Sequence, residues 1–194
     1  MPISSPSFTR WAVPGTLLAG IGWMGSGFFF YVFPGEGNGP EGSFSWYLME
    51  SADAIAEAGM LAALVGLHFL QRPDYGRLGA AGFVVAFVGT AFVFLSTVSW
   101  LLLAGKDTPF NGFAFSLALV AWLVGFPLLG IATFRAGVLP RWSGVLLIAF
   151  FPVLFAILSF YETGVIWNGL VWLALGYALW TRRGTAVEQP TRVR

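Results

Sequence analysis

Six long apolar runs, separated by short segments rich in turn-forming residues, dominate the pattern of this chain. The segments between the runs are PGEGNGPEG, QRPDYG, GKDTPFNG, RAGVLPR and YETG. Since about 20 apolar residues in a helix cross the roughly 30 Å hydrocarbon core of a bilayer, the pattern predicts an all-α integral membrane protein, a six-transmembrane-helix bundle. Residues 1–181 are expected to form a single transmembrane domain and residues 182–194 a cytoplasmic tail. The predicted helices cover about 12–33, 45–71, 78–104, 110–134, 142–161 and 164–181.

Composition supports a membrane location and excludes several kinds of chemistry. Hydrophobic residues make up 57% of the 194 residues and charged residues 10%, whereas soluble domains carry roughly 25% charged residues. The absence of cysteine excludes disulfides, thiolate nucleophiles, iron–sulfur clusters and cysteine-based zinc sites. A net charge of +1 gives no overall basic field, so we expect no nucleic-acid partner, and no motif indicates a cofactor.

Basic residues are divided unevenly between the two ends of the predicted helices. With six spans, one side of the membrane receives nearly all of them, and Lys106 alone falls on the other side. By the positive-inside rule both termini are then cytoplasmic, in a multi-pass protein of a bacterial-type inner or plasma membrane. An odd number of spans would place basic residues on both sides of the membrane. The arginines on the cytoplasmic side are Arg10, Arg72, Arg77, Arg135, Arg141, Arg182, Arg183, Arg192 and Arg194.

Two similar hairpins favour a tandem two-helix repeat. LVGLHFLQRPDYGRLGAAGFVVAFV in the second and third runs resembles LLGIATFRAGVLPRWSGVLLIAFF in the fourth and fifth, which pairs Gly66 with Gly130 and Arg77 with Arg141. The second hairpin follows the first by two spans. The two copies of the repeat would therefore have the same orientation in the membrane. The alternative is that membrane hairpins with basic cytoplasmic turns resemble one another without duplication.

The second run carries three carboxylates and one imidazole, which is unusual for a membrane segment. At about 100° per residue, Glu50, Asp53 and Glu57 fall within a sector of about 60°, and Trp46 lies close to it. His68 returns to the same bearing near the cytoplasmic end, where a packed or interfacial histidine is expected. A lipid-facing carboxylate at the midplane costs about 2.5–3.5 kcal/mol, and no run contains a Lys or Arg to pair with it. We therefore expect these acids to face the interior, compensated by water, hydroxyl groups, a cation or protonation.

Polar residues of the other runs fall mostly in the same, outer half of the membrane. A rise of about 1.5 Å per residue places Glu57 about 18 Å below the outer end of the second run, near the midplane. The sequence therefore predicts an outward-facing acidic vestibule with Glu57 at its floor. No metal site is predicted, because only two adjacent acids of one helix can converge on one ion. The candidate ion- or substrate-binding residues are Glu57, Asp53, Glu50, Asn168 and Trp46, and the hydroxyl groups in this half belong to Ser26, Ser96, Thr97, Ser99, Ser116 and Ser159.

The tryptophans divide into two groups by depth. Those at the ends of predicted spans are interface anchors, namely Trp100, Trp142, Trp167 and Trp180. The deeper ones are predicted to pack in the core, and the alternative is an aromatic cage that holds an organic cation beside the carboxylates. These are Trp23, Trp46, Trp122 and Trp172.

Three functions of different classes fit this pattern. The first is a transporter or channel component for protons or a small cation, in which Glu57 and Asp53 bind or relay the ion and Glu50 attracts it. The second is an accessory subunit or a lipid- or pigment-binding protein, whose partners are the bilayer, further copies of the chain or other subunits. The third is an intramembrane enzyme that uses two carboxylates as acid and base on an apolar substrate. We rank the transporter or channel first, the subunit or binding protein second and the enzyme third; the absence of a catalytic motif matches the second function, which needs no catalytic groups.

Overall fold

Six helices make up the regular structure of the part of the chain that the structure describes. The computed structural model describes residues 11–32, 40–157 and 161–187, and no strand occurs in these ranges. The second, third and fourth helices begin and end within two residues of the predicted runs, whereas the last helix continues to Val187, beyond the predicted end at 181. Residues 188–194 of the predicted tail and Ser159 lie outside the described residues. The helices are α1 (Ala12–Val32), α2 (Phe44–Gln71), α3 (Gly76–Leu102), α4 (Pro109–Ala136), α5 (Arg141–Ile157) and α6 (Tyr161–Val187).

Four of the helices are long and apolar enough to cross a membrane. They are α1, over Ala12–Phe30, and α2, α3 and α4 over their full lengths. Large apolar side chains are exposed along these helices, which suits contact with lipid rather than water. This supports an integral membrane protein, while the count of six spans, the side of the termini and the repeat stay predictions. Examples of these exposed residues are Ile55, Val84, Val88, Leu95, Val120 and Leu123.

Consecutive helices pack side by side and antiparallel. Each helix contacts the next one in the chain, and α6 also contacts α1. In the α1–α2 pair, Gly15 lies against Ala63, whereas Gly22, further along α1, lies against Ala56, earlier in α2. The alternation places Lys106 at one end of the helices and the described arginines of the connections and helix ends at the other. We call this other end the arginine end; it carries Arg72, Arg77, Arg135, Arg141 and Arg182.

Glycine determines how closely α1 and α2 approach each other. A Cβ atom on Gly59 would lie under 3.0 Å from backbone atoms of Gly15, Leu18 and Ala19. In lipid, where no hydrophobic effect drives helix association, such close packing is a main source of stability. The contact also fixes the rotation of α2, because Gly59 and Gly66 lie on the face opposite the acids.

Large apolar side chains fill the interior between the middle of the helices and the arginine end. Phe126 of α4 is fully buried, and its ring centroid lies 4.6 Å from that of Phe150 and 6.1 Å from that of Trp172. Met60 and Leu64 of α2, which follow Glu57 by about one and two turns, are also fully buried. The interior beyond Glu57 is therefore closed by packed apolar groups.

Candidate functional site

A cavity of about 390 Å³ lies at the end of the helices opposite the arginine end. We call it the acidic cavity, because four of its described lining residues carry carboxylates and none is basic. Helix α2 contributes Glu50, Asp53 and Glu57, and the α3–α4 connection contributes Asp107. The other lining residues are Trp23 of α1, Val93, Ser96, Thr97 and Trp100 of α3, and Asn111, Gly112 and Phe115 of α4.

The acids of α2 form a row that runs down the wall of the acidic cavity. Glu50, Asp53 and Glu57 follow one another at intervals of three and four residues, which places their Cβ atoms about 5–6 Å apart on one helix face. Only 6% of the Glu50 surface and 3% of the Glu57 surface is exposed. The structure thus brings together three of the five residues proposed from the sequence.

Glu57 is held at one of its oxygens and has no partner at the other. The Thr97 hydroxyl donates to Glu57 Oε1 over 3.0 Å, whereas Glu57 Oε2 is buried without a hydrogen-bond partner among the described residues. Asp53 is similar, with the Ser26 hydroxyl nearby and Asp53 Oδ1 unpartnered in the described part of the chain. A buried charge without a partner is costly, so both groups favour a proton, a cation or a hydrogen-bond donor in the cavity.

Asn111 builds the polar wall opposite α2. Its Nδ2 donates to the backbone oxygen of Ser96 over 3.0 Å and to the Ser96 hydroxyl over 3.2 Å. Its Oδ1 accepts from the backbone N–H and from the hydroxyl of Thr108, so that the two residues cap the start of α4. These bonds tie the start of α4 to the end of α3 and hold the rim of the cavity in place.

Asp107 and Asn111 line the cavity but were not among the residues proposed from the sequence. The signal for Asn111 was available, because Thr108 precedes an apolar run and is followed three residues later by a side chain that can complete a capping box. This spacing places Asn111 in the first turn of α4, at the same level as Ser96. Asp107 carries no comparable signal, since a charged residue in a connection is usually solvated.

Trp46 and Asn168 are not among the described residues that line the acidic cavity. The Trp46 ring is buried and packs edge-on against that of Trp100, at 6.4 Å between centroids. Trp46 therefore holds Trp100 in place, and Trp100 is the residue that lines the cavity. Asn168 is buried on α6, and its Oδ1 has no hydrogen-bond partner among the described residues. A binding role for these two residues stays a prediction.

His68 belongs to an aromatic cluster near the arginine end and not to the cavity. Its ring stacks on Phe83 with 4.1 Å between centroids, and its Nδ1 is hydrogen-bonded to the Tyr75 hydroxyl. Burial raises the pKa of the Tyr75 phenol to about 12, so this hydroxyl stays protonated near neutral pH. His68 follows Glu57 by eleven positions along the helix, or roughly 16 Å. His68 is therefore a packed histidine.

The arrangement of the acids is a row rather than a cluster. In the described ranges, no group of three or more Asp, Glu or His side chains is placed to hold a metal ion.

Comparison with known proteins does not assign the chain to a family. It matches no protein-family model, no curated protein and no solved structure. Only the residues of the acidic cavity therefore indicate its chemistry.

Proposed function

We propose that this chain is a multi-pass membrane protein with six spans, in which the acidic cavity binds and passes on protons or a small cation, as a transporter or channel component. One observation carries the proposal. Glu57 is 3% exposed, lies in a helix long and apolar enough to span a membrane, and lines the acidic cavity. The described wall of this cavity contains no basic residue, and Glu57 Oε2 has no hydrogen-bond partner among the described residues. Intramembrane carboxylates of this kind mark ion and proton pathways.

The row of acids supplies a route from the mouth to the floor of the cavity. Asp107 is exposed at the mouth, and Glu50, Asp53 and Glu57 follow at successively greater depth. Negative groups that line a cleft in a low-dielectric interior concentrate cations and protons near it. Hydroxyl groups of Ser96 and Thr97 line the wall that faces the acids and offer further oxygens to an ion or a water chain.

The positive-inside rule gives the route a direction. The arginine end is assigned to the cytoplasm, so the acidic cavity opens toward the outside. Below its floor, Met60, Leu64 and Phe126 close the interior. An ion at Glu57 is then exposed to one side of the membrane only, and its passage to the other side requires these apolar side chains to move.

Flux measurements on purified protein in liposomes test this proposal. An inward-directed proton or potassium gradient is applied, and the internal pH or potassium concentration is followed with an entrapped dye. Wild-type protein is expected to carry flux above that of empty liposomes, and Glu57→Gln is expected to reduce it to the empty-liposome rate, because an amide neither binds a cation strongly nor carries an exchangeable acidic proton.

The matched control is Glu41→Gln, which removes an exposed carboxylate from the same end of the protein but outside the cavity. It is expected to keep the wild-type rate. Flux that is unchanged in Glu57→Gln, or that is equal with and without protein, would contradict the proposed function.

A further inference from the structure

The acidic cavity is larger than a proton path or a bare ion requires. Its volume of about 390 Å³ compares with about 30 Å³ for one water molecule and lies in the range of small-molecule pockets. Its acids also do not converge as the ligands of a metal ion do. Size and geometry together point to an organic ligand.

Two unpartnered acceptors define the polar end of this ligand. Glu57 lines the cavity with 97% of its surface buried, given its 3% exposure, and Glu57 Oε2 lacks a hydrogen-bond donor among the described residues. Asp53 Oδ1, one turn away, lacks one as well. Buried acceptors are almost always paired in proteins, so the ligand should bring N–H or O–H donors and positive charge to this point. A quaternary ammonium group has the charge but no donor.

Aromatic side chains supply the apolar contacts, Trp23 near the floor of the cavity and Trp100 near its mouth. Trp23 lines the cavity with its ring held in place, because its Nε1 donates to Met60 Sδ over 3.3 Å. Trp100 lines it from α3 and is backed by Trp46. Rigid indole rings beside a carboxylate favour a cation with an attached apolar body, through both contact area and cation–π attraction.

We infer that the acidic cavity binds a protonated primary or secondary amine with an apolar body, whose N–H groups donate to Glu57 and Asp53 and whose body lies against Trp23 and Trp100. The inference rests on the proposed function and names its substrate class. Asp107 at the mouth attracts the cation. Because the described wall contains no basic residue, no side chain of that wall competes with the amine for the carboxylates.

Calorimetric titration of the full chain in lipid nanodiscs tests this inference, with empty nanodiscs as the baseline. The probe is 2-phenylethylamine, and its comparators are 2-phenylethanol, which lacks the charge, and phenyltrimethylammonium, which lacks the N–H donors. Saturable binding of the amine is expected, and each comparator is expected to bind roughly tenfold more weakly or worse. Glu57→Gln should weaken amine binding by a similar factor, while Glu41→Gln should bind as the wild type does.

The results separate this inference from the proposed function. No saturable binding of the amine, or equal binding of all three compounds, overturns the inference, and Glu57-dependent proton or potassium flux would then still support the proposed function. Selective amine binding that depends on Glu57, in a protein without proton or potassium flux, supports the inference and overturns transport of protons or potassium. Because the ligand series uses the wild-type chain, the comparison holds even if a variant fails to fold.

Discussion

Replacing Phe126 with alanine is expected to lower the free energy of unfolding by about 3–5 kcal/mol. The Phe126 side chain is fully buried and its ring contacts those of Trp122, Phe150 and Trp172, at centroid distances of 4.6 to 6.2 Å. Removing it leaves a void among large rigid rings that cannot collapse to fill the space, so most of the lost contact is not recovered. Reversible unfolding of the purified protein in mixed micelles measures the change.

The matched control for this change is Phe113→Ala on the same helix. Phe113 is 62% exposed and contacts the ring of Phe92 at 6.3 Å, so its loss should cost less than 1 kcal/mol, roughly the value of a single aromatic pair. Equal losses of stability for Phe126→Ala and Phe113→Ala would contradict the packed core described between the acidic cavity and the arginine end.

Gly59→Ala is expected to destabilise the protein by about 1–3 kcal/mol, although alanine is the better helix former. The added Cβ atom would lie under 3.0 Å from backbone atoms of Gly15, Leu18 and Ala19. Backbone atoms of a helix cannot move aside as a flexible side chain does, so α1 and α2 must separate. The same unfolding measurement reports the loss.

Gly25→Ala is the control for the α1–α2 contact. A Cβ atom at Gly25 would meet only Ala52 Cβ at 3.9 Å, an ordinary contact distance. We expect its stability to be unchanged or raised. If Gly59→Ala were as stable as Gly25→Ala, the close approach of α1 and α2 would be wrong, and with it the rotation that turns the acids of α2 toward the cavity.

The helices were largely predictable because a helix of this kind depends mainly on its own stretch of sequence. Apolar runs of the length of a bilayer and turn-rich breaks determine α2, α3 and α4 to within two residues. The last helix extends beyond its predicted end because a helix satisfies its own backbone hydrogen bonds and can continue out of an apolar run. Hydropathy records where the apolar residues stop, not where the helix does.

The acidic cavity was predictable on one side only. Periodicity along α2 places Glu50, Asp53 and Glu57 on one face, because this depends on a single helix. The opposite wall depends on how α3 and α4 pack against each other, and that packing brings Asn111 to Ser96. The angular position of Trp46 around the axis of α2 also predicted that it lies near the acids. In the structure its ring packs against that of Trp100 on the neighbouring helix. Contacts between helices are what a single-helix pattern does not contain.

Accessibility of Asp53 from outside the membrane tests the central claim, that the acidic row lines a cavity open to the outer side. Because the chain has no cysteine, Asp53→Cys introduces a single thiol that can be probed with a membrane-impermeant thiol reagent in intact cells. The control is Asp74→Cys in the exposed turn between α2 and α3, at the arginine end. The account predicts that Asp53→Cys reacts in intact cells and that Asp74→Cys reacts only after permeabilisation. An Asp53→Cys thiol that stays unmodified from outside, or an Asp74→Cys thiol that reacts in intact cells, would contradict it.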